Sequence, residues 1–239
     1  MSPDSRMHLH TPGADVSAVA LVLHGGREVS VAPTRGTQLA VLRMVPIARA
    51  LAKAGRRHGL AVARLRFEVR GWNGEQRSPV ADACRTLDEI AERFPGRPVA
   101  IVGHSMGGRT ALNVAGHPSV TTVVGLAPWI ERSDPIDQLA GRRVLLAHGT
   151  GDRITDPRRS KRLVADLEPI ARSAAFVAID GDKHAMLRRP AVWNALTSGY
   201  VLGALCDVPP GSAAPGETED DTMTNVLVQA LAGRAALVV

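Results

Sequence analysis

The chain has 239 residues, of which 45% are hydrophobic, and this is enough for one large core but too little for two catalytic domains. Its net charge of +6 comes from arginines scattered over helical patterns, and aromatic residues make up only 3%. Without a stacking platform or a recognition motif, we expect no nucleic-acid partner. No apolar run could span a bilayer and no secretory leader opens the chain, which predicts no membrane partner and a cytoplasmic location.

Strand and helix patterns alternate along most of the chain. Short apolar runs predict strands at 18–23, 60–67, 98–103, 120–127, 143–148 and 174–179. Amphipathic stretches between them predict helices at 38–57, 79–94, 106–115, 157–168 and 185–204. Pro46 predicts a kink in the first of these. Repeated βαβ units favour an α/β fold in which a mostly parallel central sheet is covered by helices on both faces, a three-layer α/β/α sandwich.

One pentapeptide stands between a strand pattern and a helix pattern, and it reads Gly103-His104-Ser105-Met106-Gly107. A serine at such a turn has a strained backbone and an exposed hydroxyl, and the flanking glycines let strand and helix approach each other. The start of the helix also directs backbone N–H groups at any anion that forms there. Ser105 is therefore a candidate nucleophile.

Two further strand patterns end in candidate partners for this serine. Asp152 follows the strand at 143–148, and His184 follows the strand at 174–179. Because a serine hydroxyl is a poor nucleophile, a neutral imidazole must remove its proton, and His184 is the candidate base. Asp152 would hold the tautomer of that imidazole. The order Ser, Asp, His, each at a strand end, is that of the α/β-hydrolases, and the chain resembles a lidless serine esterase or thioesterase of that superfamily.

The resemblance extends to the loop after the first strong strand, which begins His24-Gly25-Gly26-Arg27 and is similar to the superfamily's oxyanion loop. It implies that the N–H groups of Gly26 and Met106 stabilise the oxyanion, with the N–H of Arg27 as the alternative to that of Gly26. The candidate substrate-binding residues are Arg27, Trp72 and Trp129. The two tryptophans follow consecutive strands, and packing against the adjacent helix explains them equally well.

Other residues of the same types leave alternatives open. Three more histidines stand at strand ends and could replace His184: His24, His104 and His148. Three more carboxylates compete with Asp152: Asp156, Asp180 and Asp182. Asp156-Pro157 also fits an N-cap and first helical residue, and the segment around Gly181 suits a turn, so capping and turn formation explain these carboxylates without catalysis.

The predicted chemistry is hydrolysis of carboxylic esters or thioesters through an acyl-enzyme. No zinc-ligand spacing and no phosphate-binding glycine loop appears, so we expect no metal and no cofactor. Residues 128–140 are too few for a cap domain, and an open cleft suits small or accessible esters. Acyl transfer to an acceptor other than water and cofactor-free perhydrolysis would use the same residues. A binding protein that keeps the fold without turnover is the alternative from another class.

The composition divides the chain into three parts. We expect a catalytic domain at 1–206, a flexible Pro/Gly/acidic linker at 207–222 and an apolar tail at 223–239 that the superfamily pattern does not include. Apolar residues recur in the tail at helical spacing, at Val226, Leu227, Leu231 and Ala235. Four fates of the tail are open: docking on its own domain, pairing in a homo-oligomer, lying on another partner, or disorder.

Overall fold

A computed structural model describes residues 6–13, 15–210, 221–233 and 237–239, and in these ranges eight strands form a single sheet. The strands are β1 (Arg6–His10), β2 (Ala18–Leu23), β3 (Leu60–Arg66), β4 (Val99–His104), β5 (Val120–Leu126), β6 (Arg143–Gly149), β7 (Ser173–Ile179) and β8 (Leu237–Val238). Their order across the sheet is β1-β3-β2-β4-β5-β6-β7-β8. Only the β1–β3 pair is antiparallel.

Six helices of the described chain cover the two faces of the sheet. They are α1 (Leu39–Gly55), α2 (Ser78–Arg93), α3 (Met106–Asn113), α4 (Pro157–Leu167), α5 (Pro190–Leu205) and α6 (Asp221–Leu231). Apolar side chains of α2, α3 and α4 form one core with the sheet, and those of α1, α5 and α6 form a second core on the other face. Every residue of β2 and β4 is buried because helices lie on both sides, which explains their unbroken apolar sequences.

This architecture confirms the predicted three-layer sandwich with a mostly parallel sheet. Between β5 and β6, where a cap could be inserted, the chain forms only a short 3₁₀ turn at Asp137–Leu139. The carboxyl ends of the parallel strands therefore carry no cap domain. Within the described ranges, no helix combines the length and the hydropathy needed to cross a bilayer.

Outside the tail, and beyond shifts of one or two residues at the ends of elements, the structure differs from the sequence-based elements in two places. The short strand β1 was not predicted, since its alternation of polar and apolar residues gains a partner only by pairing with β3. The last predicted helix begins at Pro190 instead of residue 185, because the buried carboxylate of Asp182 accepts the backbone N–H groups of Lys183, Arg188 and Arg189 and holds that segment as a turn. Pro46 lies within α1, which continues to Gly55 as one helix.

The apolar tail docks on its own domain. Met223, Val226, Leu227 and Ala230 are buried in the core beneath α5, and β8 extends the sheet beside β7. A side chain at Gly199 of α5 would collide with Leu227, so the two helices meet at this glycine. Of the predicted linker, residues 211–220 lie outside the described residues, as does Ala235 of the tail.

Leu227 is 5% exposed, and we expect Leu227→Ala to lower the free energy of unfolding by about 2–5 kcal/mol, because it removes buried methyl groups and leaves a cavity against α5. Val228 is the matched control: its side chain is 50% exposed, and Val228→Ala should change the free energy of unfolding by less than about 0.5 kcal/mol. Urea denaturation measures both. Equal, small effects of the two variants would contradict the docking of α6.

Candidate active site

The candidate nucleophile occupies the sharp turn between β4 and α3. Ser105 has φ 54° and ψ −118°, a backbone conformation that residues other than glycine rarely adopt. A side chain at Gly103 would collide with the backbone of Gly107, and a Cβ at Gly107 would lie 2.6 Å from the carbonyl oxygen of His24. Both flanking glycines are therefore required for the turn, which presents the serine hydroxyl at the carboxyl edge of the sheet.

The structure brings the three predicted site residues into one hydrogen-bonded line. Ser105 Oγ lies 3.1 Å from His184 Nε2, and His184 Nδ1 lies 2.9 Å from Asp152 Oδ2. Because the carboxylate can only accept, Nδ1 carries the proton and Nε2 is left with a free lone pair. The ring is thus oriented to take the proton of the serine hydroxyl, which is what nucleophilic attack by serine requires.

Asp152 is held in its ionised form. Burial alone would raise the pKa of this carboxyl group, but hydrogen bonds from His184 and from the backbone N–H groups of Ile154 and Thr155 outweigh it and keep the pKa at about 2. The backbone bonds measure 2.8 Å and 3.1 Å. A buried negative charge beside Nδ1 stabilises the imidazolium that forms when His184 takes a proton.

Sequence reasoning missed the contacts of two residues behind this carboxylate, Thr155 and His148. Thr155 Oγ1 lies 2.9 Å from Asp152 Oδ2 and 3.1 Å from His148 Nε2. Burial lowers the pKa of His148 to about 4, so its ring is neutral at pH 7 and can donate from Nε2 to the threonine hydroxyl. The hydroxyl proton then points to Asp152. The sequence carried only a weak signal for this, a threonine three positions after the carboxylate.

Removing the hydroxyl of Thr155 should slow the reaction. We expect Thr155→Val to lower kcat about tenfold with little change in KM, because Asp152 loses a hydrogen bond that helps it to orient His184. Hydrogen bonds to charged groups contribute about 1.5–3 kcal/mol, and a part of this is enough for a tenfold change in rate. Thr150→Val is the matched control, since its hydroxyl lies in the same loop but bonds to Asp180 and to the backbone N–H of Gly181, and not to Asp152 or His184. Steady-state kinetics on one ester would show the difference. An unchanged kcat in Thr155→Val would exclude a positioning role.

Two backbone N–H groups near Ser105 are available to an oxyanion. In the described chain, neither the Gly26 nor the Met106 amide has a hydrogen-bond acceptor, and a side chain at Gly26 would collide with that of Met106. The two amides therefore belong to adjoining segments. Arg27, the alternative donor, gives its N–H to the carbonyl oxygen of Arg70 at 2.8 Å, which favours Gly26.

The other histidines at strand ends make structural contacts. His24 Nε2 accepts the backbone N–H of Phe67 at 3.1 Å, and His104 Nε2 lies 2.9 Å from the carbonyl oxygen of His184. Burial lowers the pKa of His24 to about 4 and that of His104 to about 3, so both rings are neutral at pH 7. Among the described residues, only His184 forms a side-chain hydrogen bond with Ser105.

The competing carboxylates have structural partners as well. Asp156 caps α4 by accepting the N–H of Arg158 at 2.9 Å, as the capping alternative predicted. Asp182 is fully buried and accepts Trp193 Nε1 at 2.8 Å, and Asp180 accepts the Thr150 hydroxyl. Asp152 is the carboxylate that contacts His184. Nowhere in the described chain do three or more His, Cys, Asp or Glu side chains meet as metal ligands could.

The two predicted substrate-binding tryptophans pack around an arginine. The guanidinium of Arg109 lies 4.0 Å from the ring centre of Trp72 and 4.5 Å from that of Trp129, and it forms a bidentate ion pair with Asp134. Trp72 is only 3% exposed, which favours the packing alternative for it. Trp129 is half-buried and Arg27 is exposed, so these two remain candidates for substrate contact.

Comparison with known proteins agrees with this geometry. The chain matches the model of the alpha/beta hydrolase family over residues 20–239, a range that includes the tail. No curated protein sequence matches it significantly.

Solved structures share the fold at low sequence identity. An alpha-beta serine hydrolase homologue from Coxiella burnetii superposes with a TM-score of 0.62 at 18% identity, over 81% of this chain and 90% of that one. Est1E from Butyrivibrio proteoclasticus, with ferulic acid bound, gives 0.63 at 13% identity over 84% and 95%. A serine hydrolase without a lid from Xanthomonas campestris gives 0.59 at 20% identity over 88% and 91%.

Proposed function

Because this chain belongs to the alpha/beta hydrolase family, we propose that it hydrolyses carboxylic esters or thioesters through an acyl-enzyme on Ser105. The observation that carries the proposal is the line of hydrogen bonds from Ser105 Oγ through His184 to the ionised Asp152, with the serine held at positive φ. A protein that only bound its ligand would not need a base aligned with a strained serine. The serine hydrolase neighbours, distant as they are, support the same class of reaction.

The proposed reaction has two halves. In the first, Ser105 Oγ attacks the carbonyl carbon while His184 Nε2 takes its proton, and the N–H groups of Gly26 and Met106 donate to the oxyanion. The imidazolium, stabilised by Asp152, then protonates the leaving alkoxide or thiolate, and the acyl group remains on the serine. In the second half, His184 takes a proton from water as that water attacks the acyl-enzyme. The imidazolium then returns this proton to Ser105 Oγ as the acyl–oxygen bond breaks, which releases the acid and regenerates the serine hydroxyl and the neutral histidine.

The open carboxyl edge of the sheet supports a substrate that is small or accessible. Without a cap, the walls of the cleft are the loops at 27–36 and 70–78. They pair through the Arg27–Gly71 bridge, and the Pro33–Val69 bridge joins the first loop to the residue just before the second. Trp129 and the side chain of Arg27 stand at this opening as proposed substrate contacts. A ligand reaching Ser105 can therefore keep a large part of its surface outside the protein.

A fluorophosphonate probe tests the proposal, because such probes phosphonylate only an activated serine. We expect wild-type protein to be labelled and to hydrolyse p-nitrophenyl acetate, and Ser105→Ala to do neither. Ser133→Ala, an exposed serine in the loop after β5, is the control and should keep both activities. Labelling without hydrolysis would favour acyl transfer to another acceptor, and the absence of labelling in the wild type would favour a binding protein.

A further inference from the structure

The exposed apolar side chains are unevenly distributed. In the described chain eight large aliphatic side chains are exposed, and two of these, Val228 and Val238, belong to the tail. The other six, which we call the apolar rim, are Val29 (74% exposed), Val31 (76%), Leu39 (77%), Leu42 (47%), Ile154 (75%) and Leu187 (71%). Single exposed aliphatic residues are ordinary, but six that gather at one end of a protein indicate a binding surface.

The loops that carry the rim adjoin the candidate site. Val29 lies three positions after Gly26, and the N–H of Ile154 donates to Asp152 Oδ1 at 2.8 Å. Leu187 lies three positions after His184. These loops follow β2, β6 and β7, whose carboxyl ends lie on one edge of the parallel sheet.

The first turns of α1 complete the rim. Helix α1 is the crossover between the parallel strands β2 and β3, so it begins at their carboxyl ends. Leu39 and Leu42 belong to the first turn of this helix and therefore lie at the same edge of the sheet as the loops that carry the rest of the rim.

Basic side chains are interleaved with the apolar ones. The rim segments are the loops at 24–38, 150–156 and 180–189, and five exposed basic residues lie in them: Arg27, Arg35, Arg153, Lys183 and Arg188. Three exposed carboxylates lie in the same segments: Glu28, Asp156 and Asp180. Arg153 and Arg188 directly adjoin Ile154 and Leu187. The rim is therefore aliphatic with a positive balance, and no aromatic side chain is among its members.

We propose that the apolar rim docks the protein on an anionic lipid surface, from which an ester-bearing amphiphile enters the cleft of Ser105. The inference rests on the proposed hydrolase function, since the surface must deliver an ester to that serine. Peripheral binding to a lipid surface grows with the apolar area that enters the lipid and with attraction between basic side chains and anionic headgroups, and the rim offers both. Docking of this kind needs no membrane-spanning segment, on whose absence the expectation of no membrane partner was based.

Vesicle flotation with the Ser105→Ala protein tests docking without hydrolysis. The vesicles are phosphatidylcholine alone or phosphatidylcholine with a third of phosphatidylglycerol. We expect the protein to float with the anionic vesicles, and the added pair Ile154→Ser and Leu187→Ser to lower the partition coefficient by about tenfold or more, because two aliphatic side chains no longer enter the lipid. Val228→Ser, exposed on α6, is the matched control and should float like the parent.

A second pair of variants tests the charge. Arg153→Gln with Arg188→Gln should weaken binding to anionic vesicles and leave binding to neutral ones unchanged. Arg56→Gln with Arg57→Gln, exposed just beyond the far end of α1, should leave both unchanged. An equal loss in this control would assign binding to overall basicity and overturn the proposal.

Three other results would also overturn it: no flotation with anionic vesicles, equal flotation of the Ile154/Leu187 and Val228 variants, or a concentration-dependent dimer that the Ile154/Leu187 pair abolishes. The last would assign the rim to a second copy of the chain. If the wild-type protein is labelled by the probe but the Ser105→Ala protein does not float, only the lipid docking of the rim is refuted. If the protein floats but the wild type is not labelled, the proposed hydrolysis is refuted, and the delivery of an ester with it.

Discussion

Ser105→Ala and His184→Ala should each lower kcat/KM for ester hydrolysis by about 10⁴- to 10⁶-fold while the protein stays folded. The serine variant loses the attacking atom, and the histidine variant loses the base that makes this atom nucleophilic. Because the two groups act as a unit, the double variant should be scarcely slower than either single one. Steady-state assays with p-nitrophenyl acetate measure the rates, and circular dichroism checks that each variant is folded.

Asp152 and Asp156 allow a direct comparison of two carboxylates in the same loop. Asp152→Asn should lower kcat by about 10⁴-fold, because the amide can no longer fix the Nδ1–H tautomer or stabilise the imidazolium. Asp156→Asn is the matched control: it lies four residues away, makes no contact with His184 in the described chain and caps α4, so its kcat should stay within about twofold of wild type. A crippled Asp156→Asn beside an active Asp152→Asn would mean that the wrong carboxylate has been assigned.

Mild acid should destabilise the fold strongly. Burial lowers the pKa of His24 and His148 to about 4 and that of His104 to about 3, from 6.5 in the unfolded chain. The contribution of the neutral rings is fully present above pH 6.5 and is lost as the pH falls from 6.5 towards the folded pKa values, because in this interval only the unfolded chain takes up protons. By pH 5.5 the loss is about 1.4 kcal/mol for each histidine and about 4 kcal/mol together.

Urea denaturation at pH 7.5 and pH 5.5 measures this loss, and most carboxylates stay ionised over that interval. His148→Gln removes one titrating ring, so the difference between the two pH values should shrink by about a third. A free energy of unfolding that is equal at both values would show that the three rings are protonated in the folded protein, contrary to their burial.

The features that a local pattern of residues determines could be predicted from the sequence. The strands β2 and β4 are apolar because helices bury both of their faces, so their sequences alone identify them. The turn at Ser105 was predictable because steric contact allows only glycine at 103 and 107. The order of Ser105, Asp152 and His184 was predictable because carboxyl ends of parallel strands share one edge, where the structure brings the three together.

Features that depend on long-range contacts were not predictable. The strand β1 is specified by its pairing with β3, and the tail by its packing on α5 and β7. Thr155 joins His148 to Asp152 only through the turn that the chain makes after β6, and Trp72 is removed from the surface by its stacking on Arg109. In each case the partner lies far along the chain or depends on a turn whose geometry the local pattern does not set.

The central claim is that an acyl group passes through Ser105, and peptide mass spectrometry of acid-quenched reactions tests it most directly. After brief reaction with p-nitrophenyl acetate at saturating concentration, the peptide that contains Ser105 should carry one acetyl group, the same peptide from Ser105→Ala should carry none, and Thr155→Val should build up its adduct more slowly. Turnover of the ester with the acetyl group on another residue, or with no adduct at all, would contradict the account.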